Sequence, residues 1–282
     1  MAMWLPHSGE VLEEPLEPRF KEAVLGRLAD LPATPVEPRL AATVMVIRED
    51  PVQVFMLQRA STMAFMPNVV VFPGGRVDPG DADPDLAWAG PSPAEWARRM
   101  GLDEATARMI VVAAAREVFE ESGILLAGPD ESSVVRTEDL ATWAEDRSRL
   151  DKHEETFASV LRRHDLVLRT DLLGLRSRWL TPEMEPRRYD TFFFAAIVPP
   201  GQAPDSETTE AVGGVWFEPA KLMAAGEAGD VLLVTPTRYN LAFLANAASG
   251  EEFVTENPPV SQIMMVPRVE PDGEVTLTVT LP

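Results

Sequence analysis

Three glutamates, Glu117, Glu120 and Glu121, stand at positions i, i+3 and i+4 of one apolar-periodic stretch. In a helix those spacings share one face. Three like charges on one face weaken an isolated helix, so something must offset their repulsion. Hard divalent cations such as Mg²⁺ and Mn²⁺ take oxygen ligands and suit such a cluster. Arg116 is adjacent and can pair with one carboxylate. Taken alone, the cluster reads more readily as a solvated acidic face with an intrahelical ion pair. The balance shifts with what lies upstream. A short β-branched run at residues 69–72 stops at Pro73-Gly74-Gly75. A glycine turn lets backbone groups approach a ligand closely. Strand, glycine turn and acidic helix together describe a cation site built on rigid elements.

The elements that must position these groups follow from periodicity and punctuation. Asp103 is placed to cap a helix that runs to Ser122, and Gly123 sits where a helix C-terminal glycine belongs. Val118 and the alanines at 113–115 give that helix a packing side. Residues 40–48 read as a buried strand, and 52–59 as its hairpin partner beyond Glu49-Asp50-Pro51. Residues 76–102 read as a loop with a short helix near 92–100, and 124–127 as a short strand. Leu140, Trp143, Leu150, Phe157, Val160 and Leu161 recur at helical spacing, so 137–176 reads as a helical insertion. Strands are expected at 189–198 and 213–217, helices at 219–225 and 236–247, and a closing hairpin at 261–267 and 274–281 around Asp272-Gly273. At the other end, 1–16 is expected to hug the surface or fray. Residues 17–31 should form a short amphipathic helix and 32–38 a linker.

Bulk properties narrow the classes of function. The formal net charge of -20 disfavours broad binding to nucleic acid, which is itself a polyanion. A small phosphorylated partner remains compatible, because a bound cation reverses the local field. With 45% hydrophobic residues the chain is globular rather than mainly disordered. It has no cysteine, which excludes thiolate catalysis and cysteine zinc sites. Its three histidines, His7, His153 and His164, form no HExxH pattern. The start lacks a basic region followed by an apolar run, and no stretch is long and apolar enough to span a bilayer. The expectation is a cytoplasmic protein with no membrane partner; a homodimer is allowed.

Residues 116–124, Arg-Glu-Val-Phe-Glu-Glu-Ser-Gly-Ile, resemble the second half of the Nudix box. That motif is a glycine, five residues, a glutamate, seven residues, then R-E-(apolar)-x-E-E-x-G-(apolar). Val71-Phe72-Pro73-Gly74-Gly75 resembles the strand and turn that open the box. The chain departs from the pattern by an insertion at roughly 78–105. Eight residues before Arg116 it has Arg108 where the box has a glutamate. Asp78, Asp81, Glu95 and Glu104 are the acids that could supply that position. A split box of this kind resembles a subgroup that includes peroxisomal coenzyme A diphosphatases.

The resemblance implies an α/β fold, the Nudix-type α/β/α sandwich with a mixed sheet and helical insertions. It divides the chain into an N-terminal extension, 1–38, and a Nudix domain, 39–282, with insertions at about 78–105 and 130–178. It implies a metal-dependent hydrolase that cleaves a diphosphate in a nucleoside diphosphate linked to a moiety X, with coenzyme A or an acyl ester of it as candidates. Glu117, Glu120, Glu121 and the Gly75 carbonyl would hold Mg²⁺ or Mn²⁺. Glu120 and Arg116 belong to the catalytic set, Arg116 by orienting carboxylates. Glu210, with Glu207 as the neighbouring option, is the expected general base. Arg59, Gly74 and Gly75 are the expected substrate contacts, and Phe65, Met66 and Trp216 could line a pocket. The coenzyme A signature is half present: Leu57-Gln58-Arg59 is kept, but Ala64 and Asn68 fall near its second arginine and its glycine. The rival reading is a Nudix-fold ligand sensor or interaction protein without catalysis.

Overall fold

Apolar residues that alternate along two long strands send their side chains into two separate cores, and this builds the molecule. In the computed structural model, which describes residues 9–16, 18–59, 69–137, 140–205 and 211–281, the chain opens with β1 (Val11–Pro15) and α1 (Pro18–Ala29). The strands β2 (Arg39–Arg48), β3 (Gln53–Arg59), β4 (Val70–Val71) and β5 (Gly74–Arg76) follow. A 3-10 turn at Pro79–Ala82, β6 (Trp88–Ala89) and α2 (Pro93–Met100) lead into the long helix α3 (Glu104–Ser122). Next come β7 (Ala127–Gly128), α4 (Leu140–Asp151), α5 (Phe157–Arg163) and β8 (Val167–Arg169). Then β9 (Gly174–Leu180), β10 (Tyr189–Ile197) and β11 (Ala211–Phe217) return to the sheet. The chain continues through α6 (Pro219–Ala228), α7 (Thr235–Asn246), α8 (Gly250–Thr255), β12 (Gln262–Met264), β13 (Val266–Val269) and β14 (Val275–Thr280).

The main sheet runs β11-β3-β2-β10-β9-β12, with β4 on β3 and β5 on β2. It is mixed: β2 with β10 and β9 with β12 are parallel, and the other pairs are antiparallel. Along β2, Met45 and Ile47 point to one side, where Leu222 of α6 and Leu241 and Leu244 of α7 cover them. Ala42, Val44 and Val46 point to the other, against Ile110, Val111, Ala114 and Val118 of α3. Helices on both faces make the α/β/α layering expected from the sequence. Helix α3 has a second buried side. Val112, Ala115 and Phe119 pack on Phe157, Val160 and Leu161 of α5, so α3 is enclosed between the sheet and the insertion. That enclosure explains why residues 110–115 are apolar all round.

Several expectations are corrected. Residues 11–15 do not fray: β1 pairs with β14 from Val11↔Thr280 to Pro15↔Thr276. The insertion is not helical to its end. Val167–Arg169 is a strand pairing β6 and β7, and Gly174–Leu180 joins the main sheet beside β10. Residues 124–126 are buried but make no strand, which begins at Ala127. In the closing hairpin only β13 and β14 pair with each other; β12 pairs with β9 instead. No helix among the described residues is long and apolar enough to cross a membrane.

Candidate functional site

The acidic helix forms as its sequence requires. Asp103 accepts from the Thr106 amide at 2.9 Å, and Gly123 ends α3 in the left-handed conformation at φ 72. The glycine turn is pinned against β2: the Val44 amide and the Thr43 hydroxyl donate to the Pro73 carbonyl at 2.8 and 2.7 Å. β5 then runs antiparallel to β2, with Thr43↔Gly74 and Ala42↔Gly75 in register. This brings the turn against the last two turns of α3. The Gly74 amide donates to Glu121 Oε2 at 2.6 Å. A β-carbon on Gly75 would lie 2.5 Å from Glu117 Oε1, so only glycine lets that carboxylate come so close to the strand.

Arg116 is the hub. Its Nε and Nη2 donate to the two oxygens of Asp81 at 2.8 and 3.0 Å. Its Nη1 donates to Glu117 at 2.8 Å and to Glu120 at 3.3 Å, and Nη2 also reaches the Arg76 carbonyl at 2.9 Å. Of the four acids that could have supplied the missing box glutamate, Asp81 is the one in contact with Arg116. Its side chain is 1% exposed. The Asp78 amide donates to Asp81 Oδ2 at 2.8 Å, so the 3-10 turn itself holds that carboxylate in place. Asp78 is the cap of that turn, Glu95 pairs with Arg99, and Glu104 lies in the first turn of α3. Arg108 does structural work: it donates to the carbonyls of Asp83, Pro84 and Leu86 at 3.0, 2.9 and 3.2 Å, tethering the insertion to α3.

The electrostatics follow from burial. Desolvation pushes Glu117 up to about 7, against the pull of Arg116 and with a further push from the Glu120 charge. Burial raises Glu120 as well, and Arg116 opposes that rise. Desolvation also raises Asp81, while hydrogen bonds and charge from Arg116 pull it back. Burial works against the Arg116 charge, but Asp81, Glu117 and Glu120 outweigh it and hold the guanidinium protonated. The Asp81–Arg116 pair is therefore ionised, since a bidentate arginine offers only donors. One guanidinium thus serves three carboxylates, so their full ionisation leaves an excess of negative charge in a largely buried place.

This donor set is oxygen-only and suits a hard cation. Among the described residues no three His, Cys, Asp or Glu side chains are already arranged to hold one. Glu117 and Glu120 face Arg116, and Glu121 faces the Gly74 amide. A cation bound here must share the carboxylates with those donors. Beside the cluster lies a cavity of about 150 Å³, lined by Asp81, Arg116 and Glu120 on one side and by His153, Glu155 and Thr156 of the insertion on the other.

A family model described as the NUDT19 Nudix domain matches residues 92–244. The chain belongs to the Nudix family. It is 29% identical to the human acyl-coenzyme A diphosphatase NUDT19 over 237 residues, 70% of this chain and 61% of that protein. Against the Gallus gallus protein of the same name the identity is 29% over 245 residues, 70% of this chain and 62% of that one. The chain thus spans about three-fifths of the length of the curated relatives it matches. Among solved structures, a Nudix hydrolase from Alicyclobacillus acidocaldarius superposes with a TM-score of 0.61 at 25% identity, covering 79% of this chain and 99% of that one. The two chains share the Nudix fold.

Other residues singled out in the sequence fall at varied places. Glu207, Glu210, Phe65 and Met66 lie outside the described residues, and Arg59 ends β3. Trp216 is half-buried on β11, edge-on to Phe55 at 5.4 Å, with the Arg48 guanidinium 4.5 Å from its ring centroid. It packs with the sheet core. Arg147, which the sequence reading did not single out, donates to the Glu120 carbonyl. Its side chain reaches the C-terminal end of α3, and no spacing rule links it to the box.

Proposed function

We propose that this chain hydrolyses the diphosphate of a nucleoside diphosphate linked to X, with coenzyme A or an acyl-coenzyme A ester as its substrate. The observation that carries this reading is the carboxylate set of α3 beside the Gly74–Gly75 turn: buried Glu117 and half-buried Glu120 held by Arg116, and half-buried Glu121 held by the Gly74 amide. The names of the two acyl-coenzyme A diphosphatases support the substrate class. Glu117, Glu120, Glu121 and the Gly75 carbonyl hold Mg²⁺ or Mn²⁺. Such a cation neutralises the diphosphate, orients it and lowers the pKa of a bound water. Arg116 keeps Glu117 and Glu120 on the site side of α3 and is itself fixed by Asp81. Glu210 is the general base of this reading, with Glu207 beside it. Arg59 supplies a planar donor for phosphate, and the small Gly74 and Gly75 let the substrate approach the turn.

The test is turnover by the full chain of coenzyme A and its acyl esters with Mg²⁺ or Mn²⁺, with both products identified. Cleavage into two phosphomonoesters is expected. Failure to cleave any of these, or other nucleoside diphosphate derivatives, with either cation would overturn the reading and favour a ligand sensor.

A further inference from the structure

A helix leaves its last carbonyls without intrahelical partners, and its C-terminal end carries partial negative charge. In α3 that end lies directly beneath Glu120 and Glu121. The Gly123 amide caps the Phe119 carbonyl at 2.9 Å, and the Asp205 amide caps Ser122 at 2.8 Å. The Glu120 carbonyl would ordinarily accept from the amide of residue 124. That amide instead donates to the Ser122 hydroxyl at 3.3 Å. Arg147, from helix α4, takes the position: its Nε and Nη2 donate to the Glu120 carbonyl at 3.1 and 3.0 Å. Its third donor, Nη1, binds Asp205 Oδ2 at 2.8 Å, and its side chain is only 11% exposed. Gly123 leaves room for it, since a β-carbon there would lie 3.2 Å from Arg147 Nη1.

We infer that Arg147 is a positioning residue that clamps the last turn of α3, and with it Glu120 and Glu121, while tying that turn to Asp205. This rests on the reading of those glutamates as cation ligands. The clamp comes from the insertion rather than from the Nudix box. Helix α4 is anchored independently of it, by Trp143 edge-on to Phe119 at 5.9 Å and by buried Leu150. Losing the guanidinium therefore frees the turn without unseating the helix. Lysine is a poor replacement, because a point charge cannot serve the carbonyl and Asp205 with a rigid fork.

The experiment is a calorimetric titration of the full chain with Mn²⁺ alone, paired with amide hydrogen exchange across residues 120–124. Arg147→Met is expected to weaken Mn²⁺ binding about tenfold, within the range for residues that orient metal ligands, and to speed exchange at that turn. Arg147→Lys should recover part of the affinity and guards against a folding defect in the first variant. Arg149→Met, on the exposed face of α4, should change neither readout. Wild-type affinity and exchange in Arg147→Met would overturn the inference. If the wild type itself binds no Mn²⁺, the cation reading fails. The exchange arm then decides the clamp: faster exchange in Arg147→Met upholds it, and unchanged exchange overturns it.

Discussion

Asp81→Asn isolates the charge that holds the hub of the site. Removing one partner of a buried ion pair costs about 3–5 kcal/mol when the other is left alone. Arg116 is not left alone: it keeps Glu117 at 2.8 Å, Glu120 at 3.3 Å and the Arg76 carbonyl at 2.9 Å. Asparagine also keeps the volume and one acceptor oxygen, and it ends the desolvation cost that pushes Asp81 up. The retained contacts bring the loss to about 2 kcal/mol. For a chain of this length, at roughly 2 °C per kcal/mol, Tm falls by about 4 °C. The assay is thermal unfolding followed by circular dichroism at neutral pH with a chelator present. A second consequence follows from competition. With one of the two acceptors lost, an Arg116 N–H group is left to turn toward Glu117 and Glu120 and contest them with the cation. Mn²⁺ affinity should fall about tenfold, as for other groups that orient metal ligands. An unchanged or higher Tm together with unchanged Mn²⁺ affinity would refute the claim that Asp81 fixes Arg116.

Three further outcomes are expected. Gly75→Ala places a β-carbon 2.5 Å from Glu117 Oε1, so the carboxylate must move; Mn²⁺ affinity measured by calorimetry should drop about tenfold. Glu120→Gln should keep the wild-type circular dichroism spectrum and lose cation-dependent turnover; near-normal turnover would remove Glu120 from the catalytic set. Glu117 makes ion-free stability depend on pH. Its folded value of about 7 lies above the ordinary 4.5, so between those values the folded state keeps a proton that the unfolded state releases. Its contribution is fully present below 4.5 and is lost as pH rises through about 7. Denaturant titrations of wild type and Glu117→Gln across that window should show a smaller fall in the variant, which keeps only the raised Glu120 and Asp81. Cation affinity should run the other way, rising with pH as the carboxylate ionises.

The box helix was legible because its signals are local: Asp103 caps it, Gly123 ends it, and the glutamates fall at helical spacing between them. The glycine turn was legible for the same reason. What could not be read was contact across long sequence separation. Asp81 meets Arg116 across 35 residues, and nothing near Asp81 distinguishes it from Asp78 until the 3-10 turn is seen to point one inward. Strand β9 was hidden because its register depends on β10, and β1 because its partner β14 lies at the other end of the chain. Arg108 reads in sequence as a defect in the motif. In the structure its three backbone acceptors make it the tether of the insertion. Arg147 carries no local signal at all, since its purpose is set by a carbonyl 27 residues away.

The central claim is that the carboxylates of α3 hold a divalent cation. Calorimetric titration of the full chain with Mn²⁺, beside Glu117→Gln, Glu120→Gln and Glu121→Gln, tests it most directly. Saturable binding by the wild type, weakened in every variant and accompanied by proton release at neutral pH, is the predicted result. Binding of equal strength in all four proteins, or no binding by the wild type, would contradict it.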